Sequence, residues 1–394
     1  MKLALSLCIS CLAVFSLFSA RPTVAVNTPQ IVVDDDKLDC PNAGFTRIQD
    51  AVDAAAPGSQ IRICKGTYVE QVAISKPLDV EADSGAVLMP ASMQANATSL
   101  SSGRAIAAAL LVANTTSVVI RGLTLDGANN GISQCAPDLM GIFFQNASGE
   151  VDRVAIRDFK LAASLNGCQS GTGIFVQSGA GGMSQVEIHR STIHDFQKNG
   201  ITANEVGTSA AIDGNVVTGL GPTTGAAQNG IQIGFGAGGS IQNNTVANNV
   251  WAPCTAVATC TAVATNILVT QSDGILVKDN VVGVSQVGIL MHGNQGQVLE
   301  NRTFATSVFD GLHIEGGQTQ VKRNDVFNGA QSGIFIDGNN NVVQHNSITE
   351  AAVGILKMTG SIGNLIELND VFDSPVAVQD PSVPKLSTLV VPVR

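Results

Sequence analysis

Four residues in the second half of the chain stand at spacings that would gather acid and base groups: His292, His313, Glu315 and Asp337. The dipeptides Gly288-Ile289, Gly311-Leu312, Gly333-Ile334 and Gly354-Ile355 recur after 23, 22 and 21 residues, each opening a short stretch of alternating character. The fourth residue after each Gly is His292, Glu315, Asp337 and Met358, and the second is Leu290, His313, Phe335 and Leu356. If these stretches are stacked strands, both positions face outward on one sheet. His292, Glu315 and Asp337 then form a column, with His313 beside Glu315. Two carboxylates one strand apart, about 5 Å, raise one another's pKa and suit a catalytic carboxyl pair. With two imidazoles beside them, the same group suits a divalent cation. The plain alternative is four polar residues that solvate an exposed face.

The elements that would position this column show a second period. An aliphatic residue, two variable residues and Asn recur as Ile212 to Asn215, Ile241 to Asn244, Val277 to Asn280, Val298 to Asn301, Val321 to Asn324, Val343 to Asn346 and Ile366 to Asn369. From Asn280 onward the steps are 21, 23, 22 and 23 residues, the coil length of a solenoid. Asn suits the corners because it tolerates the left-handed conformation, and its amide can bond to the Asn of the next coil. These asparagines are therefore expected to be structural. Longer steps, 29 from Asn215 to Asn244 and 36 from Asn244 to Asn280, mark protruding loops, one of which carries the hexapeptide Cys254 to Thr259 duplicated as Cys260 to Thr265.

Composition agrees with stacked strands of small residues. Hydrophobic residues make up 44% of the 394, aromatic residues only 4% and charged residues 13%, against roughly 25% charged in average soluble proteins. The single Trp251 and Tyr68 leave Val, Ile, Leu and Ala to fill the core. Residues 1–25 read as a secretory signal, with Lys2, an apolar run from Leu3 to Phe18 and cleavage expected after Ala25; Cys8 and Cys11 lack a lipoprotein context. Loss of Lys2 and Arg21 takes the net charge from -10 to -12, which disfavours nucleic acid as a partner. No transmembrane span is expected once the signal is removed. Six cysteines then remain, and proximity pairs Cys40 with Cys64, Cys135 with Cys168 and Cys254 with Cys260, among fifteen formal connectivities.

A solenoid exposes its core at both ends. Thr46 to Gln49 reads as a capping box opening a helix over 46–56, stopped by Pro57-Gly58, which would lid the N-terminal end. Residues 374–394, with Pro375, Pro381, Pro384 and Pro392, read as an irregular tail over the other end. Lys357 falls on an inward position, which implies a bulge or an open last coil.

The segments Phe45 to Val52, Pro57 to Ile63, Gly66 to Glu70 and Ile74 to Leu78 resemble the entry of the pectin-lyase-like superfamily, and with the later repeats the resemblance covers nearly all of residues 26–394. It implies an all-β fold, a single-stranded right-handed parallel β-helix with a short N-terminal capping helix. It implies no activity, because the signature motifs of pectin methylesterases, pectate lyases, polygalacturonases and mannuronan epimerases are all missing.

Two functional readings follow. In the first, a secreted or periplasmic β-helix binds a polysaccharide along its exposed sheet and, if an enzyme, is a hydrolase, lyase or epimerase with Glu315, Asp337, His313 and His292 as catalytic candidates. Phe175 and Phe335 are then the expected exposed rings for sugar stacking. In the second, the chain is a non-catalytic surface or periplasmic interaction protein, including an accessory in metal delivery. Any cofactor would be a divalent cation, and the oligomeric state is left open. His189, His194 and Asp195 read as surface residues, and Asp34 to Asp36 as a solvated acidic start or a loose calcium contact.

Overall fold

The structure, a computed structural model, describes residues 30–380; the expected signal segment and residues 381–394 of the expected tail lie outside the described residues. Alternating aliphatic and polar residues, interrupted by short corners, wind the chain into a right-handed parallel β-helix. Successive coils stack strand on strand into three parallel sheets of 13, 12 and 13 strands. In the first sheet Ile188, Ile212, Ile241, Val277, Val298 and Val321 lie directly over one another with no exposed surface. Each such side chain contributes about 1.5–3 kcal/mol of burial. The core is one continuous column of these residues running the length of the molecule.

The asparagine series lies at the corner between the first and second sheets. The backbone N–H and Nδ2 of Asn215 both donate to Oδ1 of Asn244, at 2.9 and 3.0 Å, and the pattern continues through Asn280, Asn301, Asn324 and Asn346 to Asn369. Each Nδ2 also donates to a carbonyl of the coil before, as Asn324 does to Val298 at 2.9 Å. The expected left-handed conformation belongs to the residue before each Asn: Asp279, Glu300, Arg323, His345 and Leu368 have φ between 55° and 58°. Asn holds these corners through its amide, and the preceding residue, of any type, makes the turn. A second, shorter ladder joins Thr319, Asn341 and Asn364 at the corner between the third and first sheets.

At the N-terminal end, helix α1 (Ile48–Ala54) packs Ile48, Ala51 and Val52 onto the core. Its first turn is capped from a distance: Glu70 accepts the N–H of Ile48 at 2.7 Å and of Gln49 at 3.1 Å, and no side chain of the expected capping box takes part. At the other end the expected irregular tail contains a strand, Val376–Gln379, which extends the third sheet by pairing with Val353–Lys357. Lys357 does point inward, and Asp380 on the next coil neutralises it with both oxygens, at 3.0 and 3.1 Å. Three disulfides form: Cys40–Cys64 and Cys135–Cys168 join segments of neighbouring coils, and Cys254–Cys260 closes one insertion on itself.

Truncating Asn324 to Ala would remove four ladder hydrogen bonds and strand buried partners on both sides. Chemical denaturation should show a loss of about 3–5 kcal/mol for Asn324→Ala, and a smaller loss for Asn369→Ala at the open end of the ladder.

Candidate functional site

The third sheet carries the candidate residues, on the strands Val287–His292, Asp310–Ile314 and Ser332–Ile336; Glu315 and Asp337 directly follow the last two. Register pairs Leu290 with His313 and His313 with Phe335, so equivalent positions do stack. The Gly that opens each strand faces the core. A Cβ on Gly311 would lie 2.4 Å from Val326, and one on Gly333 2.4 Å from Ile348, contacts too close for any other residue. Because Gly and the aliphatic residue after it both turn inward, the residue before the Gly is swung to the outer face. On one coil that residue is Asp310.

Asp310 has no exposed surface and bonds outward in two directions. Its Oδ2 lies 2.7 Å from His313 Nδ1, and its Oδ1 accepts the Ser332 hydroxyl at 2.5 Å. His313 Nε2 lies 3.2 Å from Glu315 Oε1, and Glu315 Oε2 lies 3.7 Å from His292 Nδ1. Phe335 stacks on the His313 ring, with centroids 4.3 Å apart. Since both neighbours of His313 are carboxylates, both ring nitrogens must donate, and the ring is an imidazolium. The result is a file of alternating carboxyl and imidazole groups from the buried Asp310 through His313, 12% exposed, to Glu315 at 39% and His292 at 50%. Asp337 is exposed on the next coil, and among the described residues its carboxylate makes no hydrogen bond or ion pair.

Burial works against charge on His313, but the hydrogen bonds and charges of Asp310 and Glu315 outweigh it and raise the pKa to about 9. The hydrogen bond from His313 draws Glu315 below the usual carboxylate range against its own partial burial, helped by the charges of His313 and His292. The mutual carboxylate hindrance expected of the column is therefore reversed at Glu315, whose nearest neighbour is an imidazolium. Phe175 and Phe335, expected as exposed rings, are each only 8% exposed: Phe175 stacks on Phe143 at 5.2 Å and Phe335 on His313.

Sequence reasoning missed Asp310 because it counted outward positions only after the Gly. The signal that would have found it is the polar residue before Gly on several coils, as in Asn199, Asn229, Asp310 and Ser332.

Three groups among the described residues bring three candidate metal-ligand atoms within 4.8 Å of one another, and the His292 to Asp337 column is not one of them. Cys40 and Cys64, beside Asp83, are joined as a disulfide. Asp34, beside Asp35 and Asp36, accepts the N–H groups of Cys40 and Asp36 in its own loop. Glu150, Asp152 and His189 stand on the first sheet, where Arg121 pairs with Glu150 and Arg153 and Arg190 pair with Asp152. His194 bonds the adjacent Asp195 at 2.7 Å, and Lys160 reaches Asp195 as well.

A family described as periplasmic copper-binding protein (NosD) matches residues 254–385, about a third of the chain. No curated protein matches the sequence. Among solved structures, a GH136 lacto-N-biosidase from Eubacterium ramulus is similar with a TM-score of 0.60 at 12% identity, over 87% of this chain and 68% of that one. The A-module of mannuronan C-5 epimerase AlgE4 from Azotobacter vinelandii gives 0.50 at 14%, over 84% and 92%, and the periplasmic alginate epimerase AlgG gives 0.52 at 12%, over 84% and 83%. These likenesses establish the right-handed parallel β-helix fold.

The raised pKa of His313 has a defined sign. Its stabilisation is complete below the unfolded value of about 6.5 and is lost as pH rises through about 9. Wild type should therefore lose stability relative to His313→Gln between about pH 6.5 and 9 in denaturant titrations. The difference cancels Lys198, whose burial lowers its pKa to about 8 and whose contribution runs in the opposite sense. An imidazole NMR titration of His313 with a midpoint near 6.5 would contradict the assignment.

Proposed function

We propose that this β-helix is an extracytoplasmic protein that binds an extended polysaccharide along the outer face of its third sheet. The observation that carries the reading is the file Asp310–His313–Glu315–His292, fixed at its buried end and open at the other, on a straight face built of repeating coils. A long surface of regular pitch suits a polymer of repeating units. The similar structures named for a biosidase and for alginate epimerases agree with a glycan as the ligand. Three disulfides suit an oxidising compartment, and no described helix is long and apolar enough to cross a membrane.

Glu315 is the residue on which any chemistry would turn. It is ionised, part-exposed and oriented by an imidazolium, so it would accept a hydroxyl or ring-carbon proton from a sugar lying on the face. His292, half exposed and 3.7 Å from it on the same face, would hand a proton to the departing oxygen on that side of the ring. His313 and Asp310 do not need to touch the sugar; they hold Glu315 in place and charged.

Copper carriage, the property in the matching family's description, needs converging imidazole or sulfur donors. Among the described residues from 254 on, His313 is committed to two carboxylates, His292 faces Glu315, Met291 is buried in the core, Met358 stands two coils beyond Glu315, Cys254 and Cys260 are joined to each other, and His345 lies at a corner of the first sheet. These donors do not converge, and they do not fit a copper ion.

Purified protein should retain at least one neutral or uronic polysaccharide in a binding screen, and Glu315→Gln should weaken that binding about ten- to a hundredfold. If new reducing or unsaturated ends appear with the wild type, the same variant should abolish them. Failure to bind any glycan, or unchanged binding by Glu315→Gln, would remove the proposal.

A further inference from the structure

The outer face of the third sheet changes character along the axis. Toward the N-terminal end Leu111, Phe143 and Phe175 form a separate apolar cluster. A segment around residues 97–101 lies over this part, where Thr98 accepts from Gln145 and the N–H of Leu100 and the Ser101 hydroxyl bond Gln177. Beyond it, on the strands Asn199–Asn204 and Asn229–Gly234, the face becomes a sheet of neutral amides and a hydroxyl, in which Asn199, Thr202, Asn229 and Gln232 are buried and Asn204 is half-buried. Asn199 Nδ2 donates to Thr202 at 2.9 Å, Asn229 Nδ2 to Asn199 at 3.3 Å and Gln232 Nε2 to Asn204 at 3.0 Å. This network fixes the amides but leaves Asn204 Nδ2 and Asn229 Oδ1 without partners among the described residues, and neither is among the buried atoms that lack one. A donor and an acceptor are thus left for something outside the fold. The charged neighbours are Lys198, tied to the Ala227 carbonyl, and Glu205 at the corner; the floor itself carries no charge.

An aromatic ring stands at the edge of this floor. Phe235, 43% exposed, occupies the corner after Gly234 with a φ of 57°. Hydrogen bonds through the stack make its equivalents Glu205 on the coil before and Gln271 on the coil after, both also left-handed. A bulky aromatic residue is disfavoured in that backbone conformation and exposes apolar surface that Glu and Gln do not. Gly234 lets the coils close up beside this corner, since a Cβ there would press to 2.9 Å from Thr270 and 3.2 Å from Asn204.

We infer that Phe235 and Asn204, with Gln232 holding the Asn204 amide, form a subsite for a neutral sugar unit. The ring covers the carbon-bearing face of the pyranose, and Asn204 Nδ2 donates to one of its hydroxyls. The inference rests on the glycan-binding reading and deepens it. Gln232 and His313 stand three coils apart, about 14 Å at the spacing of parallel strands, so one chain lying along the axis reaches both and a short saccharide does not. The ligand is therefore a neutral glycan, or one whose unit at this subsite is uncharged, of several sugar units.

The test uses the full protein and an array of β-glucan, xylan, mannan and galactan oligosaccharides beside alginate and polygalacturonate oligomers, from disaccharides upward. Wild type should bind neutral oligomers with affinity that rises with length, and Phe235→Gln and Gln232→Ala should each lose about tenfold or more of that gain. Phe235→Gln restores the residue type of the neighbouring corner and should be at least as stable as wild type, which separates loss of binding from loss of fold. If both variants bind as wild type while Glu315→Gln binds less, the subsite is wrong and the glycan surface stands. If only uronate oligomers bind, with no effect of Phe235→Gln, the neutral subsite is likewise overturned. If no oligosaccharide binds, both readings fall, and a peptide becomes the occupant to examine.

Discussion

Every coil of this molecule is held by the next through hydrogen bonds that run along the axis, and no coil can bury its inner side chains alone. The asparagine ladder shows the constraint in its plainest form. One amide oxygen receives two donors from the coil before, and one amide nitrogen returns a bond to that coil. The backbone can then turn sharply at the corner without leaving polar groups unpaired inside the wall. Straight inner columns of Ile and Val follow from the same register, and so does the regular outer face on which the candidate site stands.

Stacking also explains what was legible in the sequence. In a solenoid, residues one period apart become neighbours, so the recurrence of Asn and of Gly-Ile translated directly into contacts, and His292, His313 and Glu315 met as their spacing required. Features with no periodic signature were not legible. Any residue type can make the left-handed turn before Asn, as Arg323, His345 and Leu368 show. Glu70 caps α1 from 22 residues away, which no local pattern reveals. The inward turn at Gly311 shifts the alternation by one, and that shift concealed Asp310, the residue that governs the charge of the site.

Asp310 gives the site its chemical direction. A buried carboxylate without a cation is unfavourable by several kcal/mol, so His313 is held protonated and in one orientation before any ligand arrives. Glu315 inherits both its ionised state and its position from that ring. The exposed end of the file is thus preorganised by its buried end, which is how a shallow face with little aromatic surface can still present a defined group to a ligand.

The ladder has a polarity of its own. Each asparagine offers its backbone N–H forward, to the oxygen of the following coil, while its Nδ2 and the backbone N–H of the residue after it bond back to the preceding coil. Either terminus of the stack therefore leaves a main-chain donor open: the asparagine N–H at the far end, and the N–H of the residue after the asparagine at the near end. A change in coil number at either side therefore needs a cover that takes up the donors it exposes.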